Sequence, residues 1–190
     1  MRIATLGLCL ALLFPAVSER PAAAAKDTAF KKPIKVLIGG VRYGKNALAM
    51  KMLDLEAMAA TMCGSHWSKM SAGQKAEFQK GIGIIIRKSS FKKARDVFKH
   101  IDAVLYGKPA VSGEQARIKT TIVIHRAYKK KELVVNWVLK KTGKRYRILD
   151  IEMAGESTLK GIHDEEVQPL IKKGGTSLLL KKLKGKVSSL

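Results

Sequence analysis

The stretch 132–157, ELVVNWVLKKTGKRYRILDIEMAGES, constrains the fold more than any other part of this chain. Leu133, Val135, Trp137 and Leu139 alternate with Val134, Asn136, Val138 and Lys140. Period-2 spacing with one strongly apolar face predicts a strand half-buried against a core. Lys141, Thr142, Gly143 and Lys144 supply a turn, with Gly143 able to take positive φ. Residues 146–153 form the return strand. Gly155, Glu156 and Ser157 then end the sheet and open a helix, with Ser157 as its N-cap. A sheet that feeds its edge into a helix in this way can wall a cavity.

The rest of the chain builds around that hairpin. Residues 33–38 read as a strand or a turn of helix. From Asn46 to Trp67 the apolar residues Leu48, Met52, Leu55, Met58 and Met62 recur at three- and four-residue steps, which predicts a helix. Ser71 followed by Gln74 is a capping box that opens a second helix carrying Phe78, Ile82, Ile85 and Ile86. That helix bends around Ser89 and Ser90, and Phe91, Ala94, Val97 and Phe98 continue its apolar stripe. Residues 103–106 begin the sheet, 110–113 turn it, and 117–126 is a strand with Ile118, Thr120, Ile122 and Ile124 on one face. Short connections imply antiparallel pairing. Helices return over 158–173 and 176–184, interrupted at Pro169 or at Gly174 and Gly175. The expected architecture is α+β, a central antiparallel sheet of about four strands flanked by N- and C-terminal helices.

The N-terminus assigns a compartment. Arg2 precedes an apolar run over 3–17, and Ala23, Ala24 and Ala25 form a small-residue cleavage site. Residues 1–25 therefore read as a secretory signal peptide, and 26–190 as one exported domain. Pro15, Ser18, Glu19 and Arg20 cut the run short of the roughly 20 apolar residues that a membrane span needs. Leu8 is bulky where a lipidation site at Cys9 would want a small residue. Beyond the signal peptide Cys63 stands alone, within an apolar helical stretch, so packing rather than disulfides must stabilise the domain.

The chain carries 37 Lys and Arg against 15 Asp and Glu, a formal charge of +22. Such an excess attracts anionic surfaces: lipid headgroups, an acidic partner or nucleic acid. Export argues against nucleic acid, as does the lack of a basic helix with regularly spaced stacking aromatics. The segment from Gly39 to Asn46 matches a phosphate loop except for its final Ser or Thr, the hydroxyl that magnesium requires. Its expected role is a turn before the first long helix. His66, His100, His125 and His163 share no metal-ligand spacing, so no metal or cofactor is expected. His163 is followed by a carboxylate cluster, Asp164, Glu165 and Glu166, which reads as acidic residues complementing a helix dipole. No nucleophile elbow or hydrolase triad is present, which argues against an enzyme.

Taken together, the motifs resemble one family. The apolar strand, Gly turn, strand ending in Asp150 and Ile151, Gly155-Glu-Ser157 and long helix look like the MlaC family, periplasmic phospholipid-binding proteins of the bacterial lipid-asymmetry system, also called toluene-tolerance proteins. Gly64, Trp67, Ser71, Gln74 and Phe78 are similar to its helix junction, and Gly174, Gly175, Leu178, Leu179 and Leu183 to its closing helix. The resemblance runs from about Leu53 to Leu183. The high basicity and the Gly39–Lys45 segment depart from the family pattern.

The resemblance implies a soluble periplasmic carrier that binds phospholipid tails, leaves the headgroup near solvent and passes lipid between inner- and outer-membrane complexes of an ABC-type system, with transient contact to membrane surfaces. The candidate cavity lining is Phe78, Ile82, Phe91, Phe98, Ile122, Ile124, Val135, Trp137 and Leu139. An ordinary packed core accounts equally well for each of these residues taken singly. The alternatives are an exported cationic binder of anionic polymers or surfaces, and a carrier of another lipid such as a hopanoid.

Overall fold

Two long strands, β3 (Gln115–Arg126) and β4 (Lys129–Thr142), pair antiparallel along their length and set the frame of the molecule. The computed structural model describes residues 28–126 and 128–190. The expected signal peptide lies outside the described residues. β1 (Ile101–Tyr106) and the short β2 (Ala110–Ser112) both pair with β3, while β5 (Arg145–Met153) pairs with β4 and the two-residue β6 (Glu156–Ser157) with β5. Among the described residues the sheet has six strands rather than about four, and all six pair antiparallel. The extra ones are β2, which forms where a turn alone was expected, and β6. Gly143 makes the β4–β5 turn at φ 62°, the left-handed region that glycine occupies without strain.

One face of the sheet packs on α1 (Thr28–Arg42), α2 (Asn46–Met50) and α5 (Phe91–Phe98). Phe30, Ile34, Leu37 and Val41 of α1 bury against Ile118, Trp137, Leu139 and Ile148. Of the two readings for 33–38, a strand or a turn of helix, the helix forms, and it runs on through Gly39 and Gly40. Apolar residues at 30, 34, 37, 38 and 41 have the helical period, but the two glycines mask it. A β-carbon on Gly40 would meet the Ala49 Cβ at 3.1 Å, so this glycine lets α1 and α2 touch. Gly44, at φ 72°, makes the turn that follows.

The helix expected from Asn46 to Trp67 is broken in the middle. Ile148 N–H donates to the Met52 carbonyl at 2.8 Å, and Asp54 N–H donates to the Ile148 carbonyl at 2.9 Å. Residues 52–54 thus join the sheet edge instead of the helix. Asp54 then caps α3 (Leu55–Cys63) by accepting from Ala57 N–H at 3.1 Å, and it also accepts the Thr142 hydroxyl at 2.8 Å. A 3₁₀ turn (Gly64–Lys69) leads to α4 (Ala72–Ile85), where both bonds of the capping box form: Gln74 N–H to Ser71 Oγ and Ser71 N–H to Gln74 Oε1. A π-helical segment (Ile86–Ser90) occupies the stretch where a bend was expected, and the helical run continues into α5.

A second core lies against the other face of β4 and β5. It joins α3 and α4 to α6 (Thr158–Ile162) and α7 (Gln168–Ser188) through Met62, Phe78, Val138, Leu149, Leu159 and Leu179. A β-bulge between Val138 and Leu139 serves both cores: Val138 pairs with Asp150 but Leu139 with Ile148, leaving Leu149 as the surplus residue. Asp150 is buried and accepts from Ile151 N–H at 2.8 Å, from Leu159 N–H at 3.1 Å and from the Ser157 hydroxyl. Ser157 in turn accepts from Lys160 N–H, as the N-cap expected for this helix. Of the two interruptions considered for the C-terminal helices, Gly174 and Gly175 carry the kink, Gly175 at φ 66°.

Candidate functional site

The helical layer leaves an apolar cleft of about 370 Å³, open on one side to solvent. This size is at the lower end of the range for ligand pockets. Phe78 and Ile82 come from α4, Val167 from a π-helical segment (His163–Val167), and Leu170, Leu179 and Leu183 from α7. The rim is polar. Ser89, Ser90 and Lys93 stand on one side, and Glu166, Lys182 and Lys186 on the other. Lys186 Nζ lies 3.4 Å from Glu166 Oε2, an ion pair that ties α7 to the π segment at the mouth. Lys184 pairs with Glu77 at 3.0 Å and joins α7 to α4.

The local sequence explains the shape. Gly81 lies so near α7 that a β-carbon there would sit 2.5 Å from Leu183 Cδ2, so the two helices pack in direct contact beside the cleft. The π segment over 163–167 adds a residue to its turn and is held from the side by His163, whose Nδ1 is 2.8 Å from the Met62 carbonyl. Gly64 makes room for that ring: a β-carbon would stand 3.0 Å from its Cε1. The acidic run 164–166 sits beyond the first helical turn, which starts at Thr158, rather than at the helix start. Asp164 pairs with Lys160, which holds its carboxyl below the usual range and raises the lysine. Cys63 is buried, and desolvation pushes its thiol up to about 11. Among the described residues no three His, Cys, Asp or Glu side chains gather as a metal site, and no helix is long and apolar enough to cross a membrane.

The structure divides the nine residues named from sequence. Phe78 and Ile82 line the cleft. Phe91, Ile122, Val135, Trp137 and Leu139 are buried in the first core, with Phe98 packed partly buried against it. There the Trp137 indole N–H donates to Thr120 Oγ1 at 2.8 Å, and that hydroxyl donates to the Val135 carbonyl at 3.3 Å. Ile124 also lines a second pocket, of about 270 Å³, at the far end of the β3–β4 hairpin. Among the cleft residues that sequence reasoning missed are Ile162, Val167, Leu170, Leu179 and Leu183. The i, i+4 pair Leu179 and Leu183, with lysines between, was the available signal for them.

The architecture, an antiparallel sheet with helices that leave an apolar cleft, defines an α+β binding-protein shape. Residues 42–185 match the family described as MlaC protein, and the chain belongs to that family. Among solved structures it is similar to the phospholipid-binding protein from Ralstonia solanacearum in complex with a phospholipid, with a TM-score of 0.70 at 12% identity, covering 86% of this chain and 97% of that one. A second solved chain, named Rd1NTF2, covers 66% of this chain and 96% of its own at 14% identity, with a TM-score of 0.41. No curated protein matches this sequence.

Proposed function

We propose that this protein is a periplasmic carrier of phospholipid, which binds acyl chains in the helical cleft and moves lipid between inner- and outer-membrane complexes. The apolar cleft with its lysine rim, in a chain of the MlaC family, carries this reading. The similar Ralstonia protein was solved with a phospholipid bound, which supports it further. Burying methylenes is worth about 0.8 kcal/mol each, so roughly 10 kcal/mol is at stake when a long tail crosses water. A carrier must supply an apolar wall to offset that cost. Phe78, Ile82, Val167, Leu179 and Leu183 are the proposed tail contacts; Phe91, Phe98, Ile122, Ile124, Val135, Trp137 and Leu139 belong to the first core, apart from the cleft lining. Lys93 and Lys182, which line the same cleft, are the proposed partners of the headgroup phosphate. The role needs no covalent chemistry.

Native mass spectrometry of protein purified without detergent, with lipid extraction, tests the reading. A stoichiometric diacyl lipid retained in high salt is expected. Protein that is lipid-free, and stays so after incubation with labelled vesicles, would overturn it in favour of a cationic binder of anionic polymers.

A further inference from the structure

The end of the β3–β4 hairpin concentrates positive charge around an apolar pocket. Arg126 and Lys129 are cross-strand partners, as are Ile124 and Lys131, so all four lie on the face that α5 covers. Val97, Ile124 and Leu133 give the pocket its apolar surface, and Arg126, Lys129, Lys131 and His100 surround it. Asp96 also lines the pocket, but its carboxylate pairs with Lys99 at 3.2 Å. On the opposite face Lys130 pairs with Glu132 at 2.9 Å, and His125 Nδ1 lies 3.7 Å from Asp102 Oδ2. Among the described residues, Arg126, Lys129 and Lys131 have no carboxylate partner. Like charges set directly opposite on a sheet destabilise it. Three exposed cations without a carboxylate partner, around an apolar pocket, offer an anion from outside the chain a place to bind.

Tyr128 adds a second, independent observation. It is fully exposed between the strands and held at φ 65°, a region that non-glycine residues rarely occupy. An outward phenol beside lysines suits the boundary of a bilayer, where its ring meets acyl chain and its hydroxyl meets water. An acidic protein surface would match the charges but would leave the ring and the apolar pocket without a counterpart.

We propose that this hairpin end docks the protein on the surface of an anionic phospholipid bilayer, with Arg126, Lys129 and Lys131 on headgroup phosphates and Tyr128 in the interface. The proposal rests on the carrier reading and gives it a direction. Helix α5 carries Lys93 on the cleft rim and Val97 in the hairpin pocket, four residues and roughly 6 Å apart along its axis. Docking by the hairpin thus holds one rim of the cleft close to the bilayer.

Flotation of the purified protein with vesicles of phosphatidylglycerol and phosphatidylethanolamine, against vesicles of phosphatidylcholine alone, tests this. Binding to the anionic vesicles is expected, with a loss of at least about tenfold in the triple variant Arg126→Glu, Lys129→Glu, Lys131→Glu, since each cation near a surface contributes about fivefold. Tyr128→Ser, at a fully exposed position, is expected to weaken binding several-fold. The control Lys172→Glu, Lys173→Glu, Lys181→Glu makes the same charge change on α7 and is expected to lose much less. Equal losses in the two triple variants would overturn the proposal in favour of diffuse charge, and so would an absence of binding to anionic vesicles. Native mass spectrometry of each variant separates docking from carrying: lipid retained in a hairpin variant that no longer floats supports the proposal, whereas wild-type protein without lipid counts against the carrier reading alone.

Discussion

Gly81 and Leu183 touch across their two helices: a β-carbon at position 81 would lie 2.5 Å from Leu183 Cδ2 and 2.7 Å from its Cγ, so the leucine side chain would have to shift. The contact joins α4 to α7 beside the apolar cleft, and it ties a gain in helix propensity to a loss of packing. Gly81→Ala should recover about 1 kcal/mol of helix propensity, while overpacking costs typically 1–3 kcal/mol. The expected net result is a destabilisation of about 1 kcal/mol, read from urea denaturation. Combining it with Leu183→Ala should cost less than the sum of the two single variants.

Thr120 and Trp137 form the polar pair inside the first core. Thr120→Val keeps the shape but leaves the buried indole N–H without an acceptor. Stability is expected to fall by about 1–3 kcal/mol. In a double-mutant cycle with Trp137→Phe, which removes the donor, the second change should recover part of that loss. Additive costs in the cycle would show that the 2.8 Å hydrogen bond contributes nothing.

Cys63 gives a pH dependence. Burial raises its thiol from 9.0 to about 11, so the folded chain holds this proton more tightly than the unfolded chain does. The associated stability is intact below pH 9 and declines as pH rises towards 11. The difference in unfolding free energy between wild type and Cys63→Ala, measured at pH 8, 9.5 and 11, should shrink in that order. A thiol reagent at pH 8 should label the native protein slowly and the urea-unfolded protein rapidly.

Leu170 tests the cleft with little harm to the core, because it is only partly buried at the lining. Leu170→Glu places a carboxylate where the proposed tails lie. Co-purified lipid is expected to fall at least about fivefold, with a smaller change in melting temperature, since moving a charge into an apolar site is strongly unfavourable. Unchanged lipid content would exclude the cleft as the tail site.

The sequence announced features whose causes are local. Alternation at 133–139 and 118–124, the turn at Gly143, the capping box of Ser71 and Gln74 and the N-cap at Ser157 each depend on residues within a few positions of one another. Features with distant causes escaped it. Nothing near Leu53 signals that its backbone bridges Ile148, and so the break in the helix was invisible. The cleft joins Phe78 and Ile82 to Leu179 and Leu183, a hundred positions on, whereas the strand residues that alternation made conspicuous became packed core. The π segments were hidden as well, because a one-residue insertion in a helix changes no local propensity enough to be read.

The bulge in β5 has a consequence for the chain's length. With Leu149 surplus, Leu149 and Asp150 both turn towards the second core, while Ile148 and Ile151 face the first. A strand one residue shorter at this point would form an unbroken ladder with Asp150 still at its junction, and the second core would lose one apolar side chain. A strand shortened between Asp150 and Ser157 would have no slack to absorb the change, and the carboxylate would lose its reach to the helix it starts. Position in this strand is therefore counted from two ends, and only the bulge can take up a difference between the counts.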